Sequence, residues 1–122
     1  MNTGVPEGLE GVAQLLQHFV EQRQWGQFHD PKNLAMLLSS EAGELLALLR
    51  WVANREADGW VSEPQNKARL EEEVGDVGIA LLLLCRRCGI DLAAAMRAKV
   101  LQNEKKYPAE SSAGIPERPF SA

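Results

Sequence analysis

Apolar residues at Leu9, Val12, Ala13, Leu16, Phe19 and Val20 return every three or four positions. That is the period of one helix face, and it predicts a first helix from about residue 8 to Trp25, with Gly26 as its stop. Asp30 before Pro31 pairs an N-cap with a residue suited to the first turn. From there Leu34, Leu37, Leu38, Leu45, Leu48, Leu49 and Val52 carry a second helix. Residues 53–61 hold polar side chains and a glycine and read as a connection. Ser62, with Gln65 three positions on, has the form of a capping box. The third helix it opens, with Pro64 in its first turn, is predicted to run to Cys88 and stop at Gly89. Asp91 caps a fourth helix through Leu92, Ala95, Met96, Val100 and Leu101, which closes where Tyr107 meets Pro108. Residues 109–122 hold proline, glycine and serine without a period and read as a flexible or draped tail. No segment alternates as a strand does, so the expected fold class is all-α, one four-helix domain over residues 1–108.

The second half of the third helix, GIALLLLC at residues 78–85, is apolar on every side. Such a helix has to be covered all round, and a chain of 122 residues buries only a limited share of its surface. Both facts point to a helix bundle completed by oligomerisation, as a dimer or a higher assembly.

With 45% hydrophobic and 25% charged residues the composition is that of one ordinary globular domain. The net charge of −4 supplies no basic field, which argues against a nucleic acid polymer as partner. A small anionic ligand would be repelled as well, unless a cation or local lysines reverse the sign. The start of the chain has neither a basic nor an apolar leader segment, and the longest apolar run, residues 79–85, is too short to span a bilayer. The expectation is a cytoplasmic protein without a membrane partner, with Cys85 and Cys88 as reduced thiols.

Against this background four acids are out of place. Glu41 and Glu44 lie three apart between Leu37/Leu38 and Leu45/Leu48, and Glu73 and Asp76 repeat the spacing beside Val74 and Val77. Each pair projects from one helix face and interrupts a pattern that should be core. Carboxylates gathered in a partly dry place either take up protons or share a cation. An all-oxygen set selects a hard ion, Mg²⁺ with Mn²⁺ as the alternative. One such pair alone reads as a solvated helix face; two pairs on consecutive helices, each set in a Leu/Val pattern, make a metal site as good a reading as that one. A di-iron centre is disfavoured because no histidine lies near either pair. A zinc site built from Cys85, Cys88, His18 and His29 lacks ligand spacing.

The stretches EAGELLALLRW (residues 41–51), EEEVGDV (71–77) and KVLQNEKKYP (99–108) resemble the all-α nucleoside triphosphate pyrophosphohydrolases of the MazG-like superfamily. RQWGQFHDPKNL (23–34) narrows the resemblance to the dCTP pyrophosphatases. The resemblance spans about residues 9–108. It implies a four-helix subunit, assembled as a dimer or tetramer, that binds Mg²⁺ and a nucleoside triphosphate at its acid cluster. It places Glu41, Glu44, Glu73 and Asp76 at the metal; for hydrolysis by a water held there, Glu41 or Glu44 is the candidate catalytic base. It places Lys99 and Lys106 at the phosphates, Asn103 at the base, and Trp25 and Trp51 around the nucleoside. An asparagine amide suits a pyrimidine edge and an indole face suits stacking. The bland readings are core or interface tryptophans, and lysines answering the helix dipole.

Two positions depart from the dCTP type: Leu16 stands where a histidine is expected and Ala80 where a tyrosine is expected. Both touch the base or sugar pocket, so dCTP or a related pyrimidine deoxynucleotide is the favoured substrate, with dUTP or a broad range as the alternative. His18 is out of register with the missing histidine and reads as a surface residue. From a different class, a non-enzymatic helical assembly module predicts neither Mg²⁺ nor nucleotide binding.

Overall fold

A computed structural model describes residues 7–116. Every regular element among them is helical: α1 (Gly8–Gln22), a 3-10 turn (Trp25–Phe28), α2 (Pro31–Leu49), a second 3-10 turn (Asn54–Glu56), α3 (Ala57–Ser62), α4 (Pro64–Cys88), α5 (Leu92–Lys106) and α6 (Ala109–Ser112). The four long helices are the four expected ones, and the all-α class holds. No helix among the described residues is long and apolar enough to cross a membrane.

The predicted caps form where the local chemistry is unambiguous. The Asp30 carboxylate accepts the Asn33 N–H at 2.9 Å, and the Asp91 carboxylate accepts the Ala94 N–H at 3.0 Å, each satisfying a donor that the first turn leaves free. Gly89 ends α4 in the left-handed conformation, φ 65°, which a glycine adopts without steric cost.

Three boundaries differ. α1 ends at Gln22 rather than Trp25, because Gln24 turns left-handed (φ 54°, ψ 35°) and Trp25 opens the 3-10 turn, with Gly26 inside it. α2 stops at Leu49, which leaves Trp51 beyond the helix. The connection expected over 53–61 is largely helical, and Ser62 does not cap α4. Pro64 disfavours helical geometry in the residue before it, so Glu63 is extended (φ −71°, ψ 123°) and becomes the N-cap without a side-chain bond. The Ser62 hydroxyl instead donates to the Asp58 carbonyl inside α3. The tail opens with the helical turn Ala109–Ser112, while residues 117–122, like 1–6, lie outside the described residues.

The chain forms two compact units divided after Gly89. In the first, the principal packing is α2 against α4, with α3 laid on α4. The Asn66 side chain fastens the α3–α4 corner by donating to the Trp60 carbonyl. Leu34 on α2 is 1% exposed, and Ala80 and Cys85 on α4 are 0% and 6% exposed. Leu81, Leu82, Leu83 and Leu84 are each only half-buried, so the all-round apolar segment is incompletely covered within one chain. The second unit carries α5, on which Met96, Val100 and Leu101 are exposed.

Candidate active site

Glu41 and Glu44 project from the middle of α2, and Glu73 and Asp76 from the middle of α4, at the interface on which the first unit is built. Carboxylate oxygens of Glu41, Glu73 and Asp76 all lie within 4.8 Å of one another. Glu41 and Glu73 are half-buried and Asp76 is exposed. Glu44, also exposed, stands outside this three-oxygen group but close enough to act on Glu73.

The electrostatics follow from that crowding. Partial burial, then the charges of Asp76, Glu44, Glu41 and Glu72, push the Glu73 carboxyl above its usual range. Every charge acting on it is negative, so no neighbouring side chain neutralises the group. Three carboxylates from two helices form an oxygen-only donor set that fits a hard divalent cation. Mg²⁺ bound there would leave coordination positions for water and phosphate oxygens.

Of the expected nucleoside residues, Trp25 is 44% exposed and meets the Phe19 ring edge-on at a centroid distance of 5.6 Å. Trp51, 86% exposed, stands at the end of α2 with the Arg50 guanidinium 5.4 Å from its ring centroid. Lys99, Asn103 and Lys106 belong to α5 in the second unit. There Lys99 donates to Gln102, the Asn103 carbonyl accepts the Tyr107 N–H, and the Lys106 ammonium stands 5.8 Å from the Tyr107 ring centroid. Ala80 is fully buried, whereas Leu16 is half-buried beside an open apolar cavity of ≈ 290 Å³ with Val12, Phe19 and Ile79. His18 is exposed, as expected of a surface residue, and the two thiols are free.

Residues 37–118 match the profile of the MazG-like family. The chain belongs to that family. This MazG-like chain is 39% identical over 106 residues to dCTP pyrophosphatase 1 of Rattus norvegicus, covering 87% of the chain and 62% of the rat protein. It is 41% identical over 103 residues to the Homo sapiens protein of the same name, covering 83% of the chain and 59% of the human one. It therefore spans about three fifths of the length of these relatives. A crystal structure of a pyrophosphatase from Archaeoglobus fulgidus superposes with a TM-score of 0.77 at 37% identity, over 84% of this chain and 94% of that one.

Sequence reading missed two arginines near the MazG-like chain's Trp25. Arg23 lies 3.7 Å from the Phe19 ring centroid and donates to the Phe19 carbonyl, while Arg87 donates to the Gly26 carbonyl from the far end of α4. Only the position of Arg86 and Arg87 in the last turn of a helix hinted at a role, and the helix dipole alone accounts for that placement.

Proposed function

We propose that this chain hydrolyses a nucleoside triphosphate, with dCTP or a related pyrimidine deoxynucleotide favoured, to the monophosphate and pyrophosphate in a Mg²⁺-dependent reaction. The observation that carries the reading is the convergence of Glu41, Glu73 and Asp76 within 4.8 Å at the α2–α4 interface. The similarity to dCTP pyrophosphatase 1 and to the archaeal pyrophosphatase supports the reaction class.

In this reading Glu41, Glu73, Asp76 and Glu44 hold the ion. Mg²⁺ held there (Mn²⁺ as the alternative) would supply the positive charge that neutralises phosphate oxygens. A water attacks the α-phosphorus, its proton passes to a carboxylate, and pyrophosphate leaves. Glu41 or Glu44 serves as that base; the position of Glu44 outside the three-oxygen group favours it, because its oxygens are less committed to the cation. Trp25 and Trp51 offer aromatic faces to the nucleoside. Lys99 and Lys106 as phosphate ligands, and Asn103 as base ligand, rest on the sequence resemblance alone. Half-buried leucines on α4 and the exposed Leu9, Val12, Leu15 and Phe19 of α1 support a homodimer or homotetramer. A cytoplasmic setting suits two free thiols.

The alternative base preference, dUTP or a broad range, draws on one observation: the leucine and alanine at positions 16 and 80 offer no polar group where the dCTP type is expected to carry histidine and tyrosine. The test is pyrophosphate release from a panel of ribo- and deoxynucleoside triphosphates with Mg²⁺, run beside Glu41→Gln and Asp76→Asn. Release by the wild type, lost in both variants, is expected, and the panel ranks the bases. Inactivity across the panel, with no Mg²⁺- or nucleotide-dependent rise in melting temperature, would reassign the chain to the assembly-module reading.

A further inference from the structure

The 3-10 turn at Trp25–Phe28 is unusually well fastened for an exposed connection. It begins at Gln24, a non-glycine residue held at φ 54°, a conformation that persists only where surrounding contacts impose it. Gln27 donates to the Gln24 carbonyl at 2.9 Å, and Asn33, from the first turn of α2, donates to the Phe28 carbonyl at 3.0 Å. The Gly26 carbonyl accepts two bonds: one from the His29 N–H and one from Nη1 of Arg87, each at 3.1 Å. A carbonyl oxygen has two lone pairs, and here both are used. The bond from Arg87 is charge-assisted and spans 61 positions of the chain. The adjacent Arg86 donates to the Gln17 side chain of α1, so the last turn of α4 grips both the helix that leads into the turn and the turn itself.

The peptide that Arg87 holds, Gly26–Gln27, lies in the same turn as Trp25, one peptide beyond it. Phe19 limits the indole from one side, and Phe19 is in turn covered by the Arg23 guanidinium. The turn that carries the indole is therefore anchored at the Gly26 carbonyl, by the His29 N–H from within the turn region and by Arg87 from another helix.

We propose that Arg87 is a positioning residue for the nucleoside pocket: through the Gly26 carbonyl it fixes the Trp25 turn and so the aromatic face presented to the base. The inference rests on the reading of Trp25 as a nucleoside contact. Arg87 does not itself touch substrate, so its loss acts on substrate affinity and leaves the chemical step intact.

The experiment measures KM and kcat for dCTP with Mg²⁺ on the full chain, for Trp25→Ala, Arg87→Lys, Arg87→Gln and the Trp25→Ala/Arg87→Gln double variant. Trp25→Ala is expected to raise KM about 5- to 150-fold, the range of one lost stacking partner. Arg87→Gln is expected to raise KM about 5-fold or more with kcat within about twofold, because one-sided loss of orientation weakens stacking without altering the reacting groups. Arg87→Lys, which keeps a charged donor but not the planar fork, falls between. In the double variant KM is no higher than in Trp25→Ala alone, since Arg87 acts only through that ring.

An Arg87→Gln enzyme with unchanged KM, or a loss that adds in full to that of Trp25→Ala, overturns the inference while leaving the Trp25 reading in place. A Trp25→Ala enzyme with unchanged KM overturns the Trp25 reading and the inference with it. Should Arg87→Gln fail to fold, Arg87→Lys alone and combined with Trp25→Ala decides on the same criteria.

Discussion

On α2, Leu34 precedes Glu41 by seven residues, about two turns, and on α4 Ala80 follows Asp76 by four. The same pair of helices thus carries fully buried apolar residues and, a turn or two away, a knot of like charges. Leu34 and Ala80 favour the fold by leaving water. Glu41, Glu73 and Asp76 oppose it, since each added negative charge is placed where the others repel it. The packed region keeps the helices close enough for the acids to meet, and under the proposed function a cation would relieve their repulsion. On that reading, stability and the proposed function fall on neighbouring turns with opposite sign.

The sharpest way to break the comparison is to remove the packed side. Leu34→Ala is expected to cost about 2–5 kcal/mol, the range for a buried leucine, and chemical denaturation at fixed Mg²⁺ reads it directly. Removing the charged side should do the reverse. Asp76→Asn or Glu41→Gln is expected to lower pyrophosphate release by more than the roughly 10- to 100-fold that changes behind a metal ligand cost, while the metal-free protein melts at the same temperature or higher. An acid variant that loses activity because it unfolds would refute the division of labour.

A smaller effect is expected at the N-cap of α2. Asp30→Ala removes the acceptor for the Asn33 N–H and should cost about 1 kcal/mol with kcat unaffected, measured by urea titration and steady-state kinetics. The smallest is a dependence on pH. Because the Glu73 carboxyl is raised in the folded state, its contribution to metal-free stability is greatest below the ordinary glutamate value and is lost as pH rises through the raised one. Melting curves of metal-free wild type should show that decline from acid towards neutral pH, Glu73→Gln should flatten it, and Mg²⁺ should offset it in the wild type alone.

Much of this arrangement was legible because it depends on local rules. The periods of α2 and α4, the aspartate caps and the glycine stop specify two helices whose acids fall at the same depth in the pattern. The pair spacing singled out four carboxylates as candidates, and the fold brings three of them together. What was not legible depends on context. α3 has only six residues and contains Gly59, too few for a period to show. The apparent capping box at Ser62 failed because Pro64 moved the cap by one residue. The end of α1 turns on Gln24 taking a conformation for which glutamine has no preference, at the start of a turn that Asn33 fastens at Phe28 and Arg87 at Gly26. Arg87 could not be read at all, because its partner lies 61 residues away.

That separation along the chain also sets an order of events. The segment from α2 through α3 to α4 is contiguous, so it can close with short loops and little entropic cost, whereas α1 and its turn are secured by bonds spanning 61 and 69 residues. Amide protons in α1 and around Trp25 should then exchange with solvent through local openings that leave the α2–α4 pair protected. A chain that has released its first helix would still hold its acids together.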